Sequence, residues 1–171
     1  MNGTTMTTSE NAIDVQIRLA LVGEAEQLTA LSIASKARWG YTPEQVAAWR
    51  GELAVQADDI FSGRVHVAVV EEEVVAVMVL LPAKMTWKLS HLFVAEAWMH
   101  QGIGKKLFQF AVELAQQQDA RAISINADPN AERFYLSCGA IRSYSIAAPI
   151  PENEHRIRPQ MLFMIPAQKT L

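Results

Sequence analysis

The chain has 171 residues, of which 50% are hydrophobic and 19% are charged. A chain of this length can bury the core of one domain, and its composition argues against global disorder. The formal net charge of −3 gives no electrostatic basis for binding nucleic acid, which normally requires a basic surface. Cys138 is the single cysteine, so the fold cannot depend on an internal disulfide.

The first segment, residues 1–14, is predicted to be a flexible leader, which leaves residues 15–171 as one domain. It is polar and lacks the basic region and the apolar core of a secretory signal. No apolar run in the sequence approaches the roughly 20 residues needed to cross a bilayer. We therefore expect a cytoplasmic protein with no membrane partner.

The hydrophobic pattern predicts elements in the order β-α-α-β-β-β-α-β-α-β-β. Alternation over residues 15–21 indicates a strand, and spacing near 3.6 residues from Glu24 indicates a helix. Thr42 as N-cap and Pro43 at the first helical position predict a second helix to about residue 53. Residues 65–69 and 74–81, joined by a charged turn, predict an antiparallel hairpin.

The second half of the chain continues this alternation of strands and helices. The predicted strands are residues 87–94, 122–125, 141–147 and 161–165, and the predicted helices are residues 105–117 and 129–138. We expect one α+β (mixed α/β) domain with a central, mostly antiparallel twisted sheet of about seven strands. About four helices flank the sheet, and its parallel segment lies around the long helix.

The turn between strand 87–94 and the long helix carries the first functional signal. Its two glycines, Gly102 and Gly104, let the backbone turn tightly and approach a ligand closely. The unpaired N–H groups at the start of the helix favour phosphate. Taken alone, a Gly-x-Gly pair more often marks a plain loop. Leu107 replaces the third glycine of the dinucleotide fingerprint, and the Walker spacing is absent.

Two motifs together are more specific. The strand–turn–helix with Gly102-x-Gly104 resembles the pyrophosphate loop of the GNAT superfamily of acyl-CoA-dependent N-acetyltransferases. Residues 127–140, Ala-Asp-Pro-Asn-Ala-Glu-Arg-Phe-Tyr-Leu-Ser-Cys-Gly-Ala, resemble its second signature, an Asn/Ala-containing helix that bears Phe-Tyr and ends at glycine. The order of elements fits this superfamily from about Val15 to Ile165.

The resemblance implies acetyl-CoA as cosubstrate and a site to hold it. Leu92, Phe93 and Val94 would pair with the pantetheine arm, and the Val94 N–H would polarise the thioester carbonyl. Asn130 would contact the cofactor from the neighbouring helix, with Asp128 as the alternative position. The pyrophosphate would lie on the residues of the turn, His100, Gln101, Gly102, Ile103, Gly104 and Lys105.

The resemblance also implies a direct transfer of the acetyl group to a primary amine in a ternary complex. Tyr135 matches the tyrosine that protonates the departing thiolate, although such a residue can also be a packed core side chain. His91 is the nearest titratable candidate for the base that deprotonates the amine. A lone histidine on a strand is more often packed or exposed without a catalytic role.

The acceptor is less well defined by the sequence. Trp39, Tyr41 and Trp49 lie on or beside the first two helices, which often wall the acceptor pocket in this superfamily. An aromatic wall suits an apolar or cationic acceptor, and helix-packing anchors are an equal alternative. Small amines and peptides both stay open as acceptors, and homodimers are common among the proteins that this chain resembles.

Other site chemistries receive less support. The histidines have no metal-ligand spacing, so we expect no metal, and Cys138 is expected to be a packed side chain. The alternative functions are a non-catalytic acyl-CoA-binding regulatory module and, below it, a protein that binds another nucleotide at the same turn.

Overall fold

The computed structural model describes residues 12–168 of the chain. They form one seven-stranded sheet in the order β1-β2-β3-β4-β5-β7-β6, in which only the β4–β5 pair is parallel. The strands are β1 (Gln16–Leu19), β2 (Val65–Val70), β3 (Glu73–Leu81), β4 (Thr86–Val94), β5 (Ala122–Asn126), β6 (Ile141–Ala147) and β7 (Ile157–Met164). The predicted leader lies outside the described residues except for residues 12–14.

The helices confirm the predicted α+β class and refine its detail. They are α1 (Ala25–Ala37), α2 (Pro43–Ala48), α3 (Arg50–Leu53), α4 (Ala57–Phe61), α5 (Ile103–Gln117) and α6 (Glu132–Ser137). The second predicted helix is interrupted at Trp49, whose backbone leaves the helical region. Helix α4 is an addition to the predicted order. It buries only Ile60, so its apolar pattern is too short to be recognised.

The sheet separates two hydrophobic cores. Leu107, Phe108 and Ala111 of α5 pack on one face, as the broad apolar stripe of that helix predicts. On the other face, Leu28 of α1 packs against valines of β2 and β3. The long helix α5 connects the two parallel strands, β4 and β5, as parallel pairing requires.

The central parallel pair opens along its length. Residues 86–89 of β4 pair with residues 122–125 of β5, but β5 ends at Asn126 while β4 continues to Val94. The register of β4 against β3 shifts at Ser90, which lies opposite no β3 residue. The last five residues of β4 therefore have a partner strand on the β3 side only.

The last strand begins earlier than the pattern predicts, at Ile157 instead of residue 161. Pro159 obscured the start of β7, since proline is usually excluded from sheet interiors. Its carbonyl accepts from the N–H of Ala127, just beyond the end of β5. The missing N–H of Pro159 therefore faces a place where the neighbouring strand has already ended.

Candidate active site

A cavity of about 980 Å³ opens where β4 and β5 diverge. One part of its wall is the turn before α5 and the side of α6 that faces it. The opposite part is formed by the end of α1, by Trp49 and by α3. The lining includes Leu92, Phe93, Val94, His100, Gly102, Ile103, Gly104, Lys105, Asn130 and Tyr135. Gln101 and His91, which were also predicted for the site, are not part of this lining.

The turn before α5 has the conformation that its glycines allow. Gly102 has φ of 82°, in the left-handed region that favours glycine, and serves as the N-cap of α5. Its carbonyl accepts from the N–H of Lys106 at 3.1 Å. The N–H groups of Ile103, Gly104 and Lys105 precede this bond and have no partner within the helix. They lie beside the cavity and can bind an anion.

Gly104 is required for a different reason, because a larger residue would have too little room at this position. A Cβ at this position would lie 3.3 Å from the ring of Phe134 and 3.6 Å from Val94. The absence of a side chain lets α5 approach α6 and the end of β4 closely. The two sequence motifs are thus in direct contact through Gly104 and Phe134.

The free edge of β4 faces the same cavity. The N–H of Ala95 donates to the carbonyl of Val75 at 2.8 Å, and the register pairs Val94 with Ala76. Because hydrogen-bonded and non-hydrogen-bonded pairs alternate in an antiparallel ladder, the N–H groups of Leu92 and Val94 point away from β3. They face the side from which β5 has diverged, where an extended ligand could pair with them.

Tyr135 lies on α6 and reaches the cavity from the core. Only 6% of the residue is exposed, and its ring packs edge-on against Phe108 and Phe134. Burial raises the pKa of the phenol well above its ordinary value, and the neighbouring Cys138 raises it further. The hydroxyl is therefore protonated at neutral pH and able to donate a hydrogen bond.

His91 is buried behind the cavity wall. Its ring packs edge-on against Phe93, and its Nδ1 lies 3.0 Å from the hydroxyl of Ser90, which does line the cavity. Burial lowers the pKa of His91, and the nearby backbone carbonyl of Leu53 opposes this. The neutral ring can accept a hydrogen bond from Ser90. The structure thus places Ser90, which no sequence pattern singles out, between His91 and the cavity.

A buried ion cluster closes the side of the cavity near α1. The Asp128 carboxylate is paired with Lys36 and accepts from Arg156 at 3.4 Å and from the Tyr41 hydroxyl at 2.9 Å. It also accepts from the backbone N–H and the side-chain amide of Asn130, each at 2.9 Å. Burial alone would raise the pKa of Asp128, but Lys36, the backbone N–H of Asn130 and the Tyr41 hydroxyl lower it. The carboxylate is therefore ionised and saturated with donors.

The aromatic residues near the cavity are also engaged within the protein. The rings of Tyr41 and Trp49 meet edge-on at 4.8 Å. The Lys36 ammonium lies 4.5 Å from the centre of the Trp49 ring, and the Arg156 guanidinium lies 5.1 Å from it. These cation–π contacts occupy the faces that an aromatic cage would offer to a cationic ligand.

Sequence patterns did not single out Lys36, although a signal was present. It follows Leu28 and Ser32 at spacings of four residues, on the buried face of α1. A charge on a buried helical stripe indicates a partner elsewhere in the chain. That partner, Asp128, lies 92 residues away in the sequence, so no local pattern around Lys36 identifies it.

Comparison with known families decides the assignment of the chain. The family model for the acetyltransferase (GNAT) domain matches residues 38–145. The chain belongs to the GNAT acetyltransferases. No curated protein sequence matches it.

Solved GNAT structures share the fold at low sequence identity. A GCN5-related N-acetyltransferase from Rhodopseudomonas palustris is 21% identical, with a TM-score of 0.70 over 89% of this chain and 97% of that chain. PaiA N-acetyltransferase from Thermoplasma acidophilum, in complex with coenzyme A, is 13% identical, with a TM-score of 0.69 over 89% and 99%. The ribosomal-protein-S18-alanine N-acetyltransferase from Escherichia coli is 12% identical, with a TM-score of 0.68 over 92% and 99%.

Two further observations concern residues 12–168 alone. None of the helices within them has both the length and the apolar character of a membrane span. No group of three or more His, Cys, Asp or Glu side chains in this range is arranged to hold a metal ion.

Proposed function

We propose that this GNAT protein transfers the acetyl group of acetyl-CoA directly to a primary amine in a ternary complex. The observation that carries the proposal is the meeting of three features at one cavity: the unpaired N–H groups that begin α5, the free edge of β4 and the hydroxyl-bearing ring of Tyr135. The relative from Thermoplasma acidophilum, crystallised with coenzyme A, supports coenzyme A as the ligand of such a cavity.

The cosubstrate would be held along the wall that contains the turn. The N–H groups of Ile103, Gly104 and Lys105 would bind the pyrophosphate, with the Lys105 ammonium and His100 and Gln101 beside it. The exposed Asn130 would contact the cofactor from the segment before α6. The pantetheine arm would pair with β4 at Leu92, Phe93 and Val94, as an added strand pairs with a sheet edge.

The transfer itself requires one bond to form and one to break. The lone pair of the neutral amine attacks the thioester carbonyl carbon, a C–N bond forms, and the carbonyl oxygen becomes an oxyanion. The N–H of Val94 is proposed to stabilise that oxyanion. The C–S bond then breaks, sulfur takes the electron pair, and the hydroxyl of Tyr135 donates to it. The products are the N-acetyl compound and coenzyme A.

The amine must also lose a proton. We propose that His91 remains the base but acts through Ser90, because Ser90 lines the cavity and its hydroxyl lies 3.0 Å from His91 Nδ1. The hydroxyl would take the proton from the attacking amine as it passes its own to Nδ1. The lowered pKa of His91 keeps the ring neutral at pH 7 and able to accept that proton.

The purified chain should be incubated with acetyl-CoA and a panel of small amines, amino acids and peptides. We expect release of free coenzyme A together with an N-acetyl product detected by mass spectrometry. Coenzyme A should raise the melting temperature, and ATP or NAD should compete poorly with it. Binding of coenzyme A without turnover of any amine would contradict catalysis and favour an acyl-CoA-binding module. A cytoplasmic location and a homodimer stay predictions.

A further inference from the structure

The cavity wall opposite the turn is rich in cations. Lys36, Arg38, Lys88 and Arg158 line it, against the carboxylates of Glu52 and Asp128. Asp128 is already saturated with donors, which are Lys36, Arg156, Tyr41 and Asn130. The negative charge of Asp128 is therefore balanced within the cluster. It does not neutralise the guanidinium groups of Arg38 and Arg158.

Arg158 is only partly satisfied by acceptors within the protein. Its Nη2 donates to the carbonyl of Asn126 at 2.9 Å, and its Nη1 lies 3.4 Å from a Glu52 carboxylate that is 67% exposed. Its Nε is buried and has no hydrogen-bond partner. A contact of 3.4 Å to an exposed carboxylate is weak, so the guanidinium retains capacity for an anion.

Arg38 repeats this pattern at the end of α1. It lines the same wall, its Nε is also buried without a partner, and its guanidinium lies 5.8 Å from the centre of the Trp39 ring. Buried donors that lack a partner are rare, because each costs free energy when it is removed from water. Two arginines that line one cavity and are not fully paired with protein acceptors favour a ligand that brings a negative charge.

The same wall disfavours the cationic acceptor that its aromatic residues had suggested. The faces of Tyr41 and Trp49 are already covered by Lys36 and Arg156. A second positive group on the acceptor would also be repelled by Arg38, Lys88 and Arg158, which line the cavity. An anionic group, in contrast, is attracted by the cations of this wall that Asp128 does not neutralise.

We infer that the acceptor bears a carboxylate besides its amine, and that Arg158 and Arg38 bind this carboxylate while the amine points toward β4. The inference rests on the proposed acetyl transfer. A guanidinium matches the planar, two-oxygen geometry of a carboxylate with two parallel hydrogen bonds. Free amino acids and similar amino carboxylates are the substrate class that fits.

The test compares matched acceptors that differ only in this group. We would measure kcat/KM for L-alanine, L-methionine and L-phenylalanine, each beside its carboxamide. For at least one pair, kcat/KM of the free acid should be roughly tenfold higher than that of the carboxamide, which is the effect expected of one charge-assisted hydrogen bond. Arg158→Gln and, separately, Arg38→Gln should reduce that ratio to within about threefold. Arg50→Gln, an exposed change on α3 outside the cavity, should leave it unchanged.

A binding measurement separates this inference from the proposed function. N-acetyl amino acids and their carboxamides would be added to the protein with coenzyme A, and the melting temperature recorded. Stabilisation by the acids alone, lost in Arg158→Gln, supports the carboxylate site even if no amine is acetylated. Equal effects of acids and carboxamides, or none, overturn it while leaving acetyl transfer intact. Preference for phosphoethanolamine over every carboxylate also overturns it, in favour of a phosphate.

Discussion

The carboxylate of Asp128 and the ammonium of Lys36 form a buried ion pair that joins the end of β5 to helix α1. The two side chains are 9% and 8% exposed. Asp128 immediately precedes the turn that leads into α6, whereas Lys36 lies near the end of α1. The pair therefore ties the wall that carries Tyr135 to the wall that carries the cationic residues of the cavity.

Asp128→Asn should destabilise the protein by about 3 kcal/mol, because it leaves Lys36 and Arg156 buried without a negative partner. Denaturant unfolding of the two proteins at pH 7 measures this. Asp119→Asn is the matched control, since Asp119 is exposed and its positive φ suits asparagine equally well. A loss of unfolding free energy no larger than that of Asp119→Asn would show that the cluster contributes little to stability.

The pH dependence of that difference follows from the direction of the pKa shift. The pKa of Asp128 is lower in the folded protein than its ordinary value of about 3.9. Its ionised form therefore stabilises the fold above that value, and this contribution is lost as the pH falls through the lower, folded pKa. The gap between wild type and Asp128→Asn should be full at pH 7 and shrink below about pH 4.

Gly104→Ala should weaken coenzyme A binding roughly tenfold, because the added methyl group displaces Phe134 or the start of α5. Isothermal titration of coenzyme A would give both dissociation constants. Gly51→Ala is a useful comparison, since nothing lies within 4 Å of a Cβ there. That helical substitution should slightly raise stability and leave affinity unchanged. Equal affinities for all three proteins would remove the turn from the binding site.

Tyr135→Phe should lower kcat by roughly 100-fold, as expected for loss of a proton donor in the transition state. Affinity for coenzyme A should change by less than about twofold, because the ring and its packing are retained. Tyr144→Phe, an exposed change on β6, controls for loss of a hydroxyl elsewhere. Full activity of Tyr135→Phe would reduce this residue to a packed core side chain.

His91→Gln should lower kcat and remove the acidic limb of the pH profile. Because burial lowers the pKa of His91, that limb should lie below about pH 6.5, with activity falling as the ring becomes protonated. Ser90→Ala should lower kcat by a similar factor and should lower the melting temperature only slightly. His66→Gln is the control, because His66 is another buried histidine of lowered pKa but lies outside the cavity. An acidic limb that survives in His91→Gln would exclude this base.

The parts of the fold that could be predicted are those with local causes. Alternating apolar residues defined most strands, and the Thr42–Pro43 start of α2 was recognisable because its cap is built from neighbouring residues. Gly102 was likewise recognisable, since a left-handed N-cap favours glycine. The order and spacing of the two motifs then supplied the family.

The acceptor side of the site could not be predicted in the same way. Tyr41 and Arg156 meet across 115 residues, and no periodicity connects them. The aromatic residues near α2 suited an apolar or cationic acceptor or simple helix packing, and a sequence does not show which side chain covers an aromatic face. Ser90 became relevant only because the strand register shifts there and places its hydroxyl beside His91.

A crystal structure of the protein with coenzyme A tests the central proposal most directly. We predict that the pyrophosphate will accept from the N–H groups of Ile103, Gly104 and Lys105, that the pantetheine arm will pair with β4, and that the sulfur will lie within hydrogen-bonding reach of the Tyr135 hydroxyl. Coenzyme A bound outside this cavity, or with its sulfur directed away from Tyr135, would contradict the proposal.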